Sequence, residues 1–113
     1  MRRTLRAVSP IDGSVFVERE LATEPTIEAA LAAAAAAQQH WKQVPVRERA
    51  AICRGMTQWC VARAGELGEE LTRQMGRPIA YSANEIRRGF QERALYLCDI
   101  AEEALSELRM PKK

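Results

Sequence analysis

The sequence predicts a mainly α-helical chain in which an N-terminal β-hairpin is followed by three or four packed helices. Three observations carry that prediction. Short strand-like runs flank a proline- and glycine-bearing turn within the first twenty positions. From residue 23 onward the apolar residues recur every three or four positions instead. Proline and glycine then punctuate the helical pattern at Pro45, Gly76, Pro78 and Pro111. Residues 1–20 are therefore assigned to a hairpin and residues 21–113 to a helical segment, with helices expected at 23–42, 46–64, 66–75 and 79–108.

The hairpin rests on local chemistry. Leu5 to Val8 and Val15 to Arg19 suit strands, and Ser9-Pro10-Ile11-Asp12-Gly13-Ser14 lies between them. Proline presets φ, aspartate bonds nearby backbone, and glycine accepts positive φ. A lone two-stranded hairpin is marginal in water, so this one needs a surface to pack on.

Thr23 is placed to cap the first helix, with Glu24 and Pro25 in its first turn. Ile27, Leu31, Ala34 and Trp41 fall near one face, and alanine fills most of the rest. Pro45 breaks this helix and leads into the second. There Ala50, Ile52, Cys53, Met56, Trp59, Cys60 and Ala64 form a broad apolar stripe. Val44 falls at the expected cap position of that helix and has no capping group. Gly65 and Gly68 offer a place for the helix to bend. Leu67, Leu71 and Met75 carry the stripe into a third helix that Gly76 and Pro78 end. The last helix starts between Ile79 and Glu85, where Ser82 and Glu85 have capping-box spacing. Its stripe runs through Ile86, Phe90, Ala94, Leu97, Ala101, Leu105 and Leu108.

Composition narrows the classes of function. The 113 residues carry 17 Lys and Arg against 15 Asp and Glu, a balance that argues against a nucleic-acid partner. Arg2, Arg3 and Arg6, and Lys112 and Lys113, read as solvated termini. No run is apolar enough to span a membrane, and the amino terminus lacks a secretory pattern. A reducing, cytoplasmic setting is the expectation.

Candidate chemistry is sparse. Cys53, Cys60 and Cys98 are odd in number and include no C-x-x-C pair, which argues against a disulfide framework and a zinc site. Cys53 and Cys60 read as small core residues and Cys98 as structural. His40, the single histidine, sits where a cation favours a helix C-terminus. The adjacent pairs Glu69-Glu70 and Glu102-Glu103 diverge around their helices and suit a solvated face better than paired acid-base work. No dinucleotide-binding or phosphate-loop motif and no nucleophile elbow occurs. The residues assign no catalytic, cofactor-binding or metal site, and by themselves reach only a small, mostly helical domain.

The order of signals adds a resemblance. Ser9-Pro10-Ile11-Asp12-Gly13-Ser14-Val15 resembles the turn that opens aldehyde dehydrogenases. An Ala-rich helix ending in Trp41 follows, then Pro45-Val46-Arg47-Glu48-Arg49-Ala50. Arg63-Ala64-Gly65-Glu66-Leu67, running to Thr72, Gly76, Arg77 and Pro78, is similar to the next family segment. Glu85-Ile86 then leads into a helix with Tyr96. Five pieces stand in order, over about residues 7 to 108. The chain departs from the pattern at Val44, at Gln74 and around Phe90. At Gln74 some members carry an acid that helps hold a structural cation.

The resemblance implies the N-terminal portion of the aldehyde dehydrogenase fold, without its Rossmann-like sheet core. It implies an NAD- or NADP-dependent oxidation of aldehyde to acid in the full-length enzyme, by residues downstream of this segment. No cofactor is expected on this chain, which is itself expected to be inactive. By analogy Phe90 falls on a helix that walls the substrate tunnel. Two functions follow: a segment of such an enzyme, or a free-standing, non-enzymatic helical module acting in self-association or protein interaction. The expected partners are the missing catalytic core or a second copy, not nucleic acid or membrane.

Overall fold

The computed structural model describes residues 3–108 and residue 110. The hairpin comes first, as β1 (Thr4–Val8) and β2 (Val15–Glu20), paired antiparallel from Thr4 opposite Glu20 to Val8 opposite Val15, with a bulge at Ala7/Val8. Arg6 and Glu18 face each other in that register and form an ion pair at 3.0 Å. The turn closes as its residues dictate. Gly13 takes φ +74°, the Ser14 amide and hydroxyl both donate to Asp12 Oδ1 at 3.0 and 2.7 Å, and Ser9 N–H donates to the Ser14 carbonyl. The turn meets the end of the third helix, where the Pro10 ring lies against Gly76.

Among the described residues five α-helices follow. They are α1 (Glu24–Trp41), α2 (Val46–Ala62), α3 (Ala64–Met75), α4 (Ile79–Asn84) and α5 (Gln91–Ala104). A π-helical turn, Glu85–Phe90, joins α4 to α5. The fold class is thus mainly α with an N-terminal hairpin, and the last expected helix is one continuous run with a widened middle. That run ends at Ala104, short of residue 108. Leu105 takes φ −101° and ψ 6°, and the Ser106 hydroxyl turns back onto the Glu103 carbonyl. The second and third helices part at Arg63 (φ −108°), ahead of the glycines at 65 and 68.

The helical body is an antiparallel hairpin of helices. One arm is α2 and α3; the other is α4, the π-turn and α5. Arg54 pairs with Asp99, Gly68 faces Ala83, and Thr72 bonds Ser82, so the partner's number falls as the first arm's rises. The π-turn lies beside the α2–α3 junction and touches both helices. Helix breaks therefore stand opposite each other in the two arms.

Small and polar side chains form the buried centre. Ala64, Thr57 and Ser82 are at most 1% exposed. Thr57 donates to the Cys53 carbonyl at 2.9 Å, which satisfies its buried hydroxyl. Ser82 bonds the Thr72 hydroxyl at 2.6 Å and the Pro78 carbonyl at 3.2 Å. The capping-box reading of Ser82 and Glu85 is therefore corrected: Ser82 is a tertiary contact, and the Glu85 carboxylate pairs with Arg77 at 3.0 Å. Thr23 does occupy the N-cap of α1, but its hydroxyl meets that of Thr26 at 2.8 Å rather than a backbone amide. Pro45, not Val44, stands at the N-cap of α2 and accepts from the Glu48 and Arg49 amides. Gly76 ends α3 in the left-handed region, with φ +74° and its N–H on the Thr72 carbonyl.

The bulky apolar residues lie outside this centre. Ile52, Met56 and Trp59 of α2 are all more than half exposed, and the buried line of that helix runs through Thr57 instead. Helix α1 buries no residue at all, and its last residue, Trp41, stands beside Val46 and Leu105. The radius of gyration is 19.5 Å, well above the ~13 Å of a compact domain of about 100 residues. Arg3 and Arg6 are exposed as expected, while Arg2, Lys112, Lys113 and Pro111 lie outside the described residues.

Candidate functional site

The antiparallel pairing of α2 and α5 opens an apolar groove of about 390 Å³. Its floor comes from Ala50, Cys53 and Thr57 on one side and Ala94, Cys98 and Ala101 on the other. These residues sit at helical spacing on facing stripes, and their small size leaves the seam open. Trp41 and Val46 close one end with Leu105. Met56 and Leu97 form its rims, 55% and 61% exposed. Among the described residues Arg49 brings the one cation to the lining, and its Nε is buried without a hydrogen-bond partner.

A second cleft, of about 380 Å³, runs into the first across Ala94 and Leu97. Phe90 lines it, half-buried at the end of the π-turn, with Glu85 and Arg93. The residue singled out from the sequence thus lines a cleft that shares Ala94 and Leu97 with the groove. The sequence did not single out Arg49, nor Cys53 together with Cys98. Their stripes were visible, but only the pairing of α2 with α5 brings them together.

The remaining candidates are spread out. Cys53 is exposed and Cys60 half-buried, which overturns the core reading of Cys53: it faces the groove and not the packed centre. Cys98 is half-buried. His40 is exposed in the last turn of α1. Glu69 pairs with Arg73 at 2.8 Å on a solvated face, and Glu70, Glu102 and Glu103 are exposed. Trp59 takes the Arg63 guanidinium over its ring at 4.1 Å, an exposed cation–π contact. Among the described residues no group of three His, Cys, Asp or Glu side chains is placed to hold a metal, and no helix is long and apolar enough to cross a membrane.

A nicotinamide nucleotide does not fit what these residues build. Such a cofactor needs a strand, a glycine-rich turn and a helix N-terminus to receive its phosphates. The sheet here is a two-stranded antiparallel hairpin, and the acidic side chain of Asp12 stands in its turn.

Among the described residues, many large apolar side chains therefore stand at the surface. The chain belongs to the aldehyde dehydrogenase family, whose match runs over residues 1–112. It is similar to a malonate-semialdehyde dehydrogenase of Bacillus pumilus (strain SAFR-032), 32% identical over 89 residues. That alignment covers 79% of this chain and 18% of the relative. It is likewise similar to malonate-semialdehyde dehydrogenase 3 of Geobacillus kaustophilus (strain HTA426), 31% identical over 83 residues, 74% of this chain and 17% of the relative. The chain thus spans less than a fifth of the length of these curated relatives. No solved structure matches it significantly.

Proposed function

We propose that this chain is the N-terminal docking segment of an aldehyde dehydrogenase-like oxidoreductase. The full-length enzyme oxidises an aldehyde to an acid with NAD+ or NADP+ in the cytoplasm. In that reading the nucleophilic cysteine, the general base and the cofactor cradle belong to the remainder of the enzyme, and residues 1–113 have no dehydrogenase activity of their own. The segment's part is to support the cofactor-binding core and to shape substrate entry, with Phe90 on the tunnel wall. The family match over residues 1–112 carries the reading. The uncovered apolar side chains support it, since contiguous exposed apolar surface marks a site of docking.

The partner is the catalytic core or, failing that, a second copy of this chain, rather than nucleic acid or a membrane. The free chain is accordingly expected to self-associate. Light scattering that finds one monomeric species across a wide concentration range removes that expectation. Reading the gene past the Lys113 codon tests the assignment itself. An open frame that encodes a glycine-rich nucleotide-binding turn and a catalytic cysteine supports it. An immediate stop replaces it with the free-standing helical module. Aldehyde-dependent reduction of NAD+ or NADP+ by the mass-verified chain alone contradicts both readings.

A further inference from the structure

We propose that Cys53 and Cys98 form a paired-thiol site, which a low-molecular-weight disulfide such as oxidised glutathione converts into a covalent clasp between α2 and α5. Both cysteines line the same groove, from opposite helices. Their next neighbours in sequence, Arg54 and Asp99, are joined by an ion pair across the seam. With Arg54 level with Asp99 in an antiparallel pair, Cys53 and Cys98 lie within about 3 Å of each other along the helix axes, at ~1.5 Å per residue.

The flanking residues permit the approach. Ala50 and Thr57 lie one turn either side of Cys53, and Ala94 and Ala101 one turn either side of Cys98. Helices packed through small side chains run with axes about 8–10 Å apart, which puts facing Cα atoms roughly 3.5–5.5 Å apart and those offset by ~3 Å along the axes roughly 4.5–6 Å apart. A disulfide spans about 4.4–6.8 Å between Cα atoms. Cys60 is an internal control: it lies on α2 but outside the groove, and no cysteine of the other arm stands near its level.

Exposure sets the order of events. Cys53 is exposed and Cys98 half-buried, so the Cys53 thiolate attacks the reagent first. The reagent's S–S bond breaks, one small thiolate leaves, and a mixed disulfide remains on Cys53. The Cys98 thiol then gives its proton to solvent, and its sulfur attacks the Cys53 sulfur and expels the second small thiolate. Two protein thiols are oxidised and one reagent disulfide is reduced to two thiols. In a reducing compartment the pair stays open.

Mass spectrometry of the whole chain after exposure to oxidised glutathione tests the site. The expected product is a monomer lighter by two hydrogens, with a Cys53–Cys98 cross-linked peptide and Cys60 free to alkylate. Cys98→Ser should stop at the glutathione adduct on Cys53, and Cys60→Ser should change nothing. In denaturant the 53–98 preference should be lost and the short Cys53–Cys60 loop should gain. Stable adducts on Cys53 and Cys98 together in the folded chain, or a disulfide there that includes Cys60, or the same pairing with and without denaturant, overturns the proposal.

Discussion

The two seams of the helical hairpin are built differently. Where α3 meets α4, the backbones almost touch: a Cβ on Gly68 would lie 2.8 Å from the Ala83 amide nitrogen, and Thr72 and Ser82 share a buried hydrogen bond. Where α2 meets α5, alanines and cysteines face each other across an open groove while Met56 and Leu97 stand at its edges. One seam closes on itself and the other is left open. Backbone contact at Gly68 closes the first seam, while at the second the small side chains lie along the bottom of a trough.

The closed seam should be the fragile one. Gly68→Val puts a branched side chain into the Ala83 backbone, and neither partner has a flexible end that can give way. Overpacking of that kind costs about 1–3 kcal/mol or more, and each kcal/mol lowers Tm by roughly 4–8 °C in a domain near this size. A thermal melt unchanged by Gly68→Val means the seam is looser than described. Ser82→Ala removes a wholly buried hydroxyl and strands that of Thr72, with an expected cost of about 1–2 kcal/mol in chemical denaturation. Pairing it with Thr72→Ala should recover part of the loss, because no orphaned hydroxyl then remains.

At the open seam, Leu97→Ser should leave the chain's own stability within about 0.5 kcal/mol, since the side chain is 61% exposed. Its effect belongs to association: a chain that self-associates through this face should dissociate at higher concentration in the variant. A marked fall in Tm with no change in association shows that Leu97 is core after all.

The smallest effect lies in the hairpin turn. The Ser14 hydroxyl and amide hold the Asp12 carboxyl below its ordinary value of 3.8. A carboxyl lowered on folding contributes stability above its unfolded pKa and loses it as pH falls through the folded one. The turn should therefore loosen only below about pH 4. Asp12→Ala should remove that acid-side loss, and identical acid titrations of the two proteins by NMR of the Gly13 amide would count against it.

The sequence was most legible where the determinants are local. Gly13, Asp12 and Ser14 encode their turn within six residues, and Gly76 its helix end within four, so both are found where the residues place them. The family motifs were legible for the same reason. Ser82 misled because its neighbour in space, Thr72, is ten residues away, and the nearer Glu85 offers a plausible local partner. The stripe on α2 announced a buried face, but periodicity says which side is apolar and not whether anything covers it. Cys53 was misread on that ground, and on α1 Ile27 and Leu31 of the expected stripe remain bare. Phe90 was reached through the resemblance, and the groove beside it needed the α2–α5 pairing.

The π-turn sets the phase of everything that follows it. A π-turn houses an additional residue in a helix, and each residue turns an α-helix by about 100°. Loss of one residue between Glu85 and Phe90 would therefore swing α5 through a quarter-turn or more while leaving α4 seated on Gly68. Cys98 would leave the seam, and a different row of side chains would look toward α2. The six residues act as a dial between two helices of one continuous run, and its setting decides which edge of α5 looks outward.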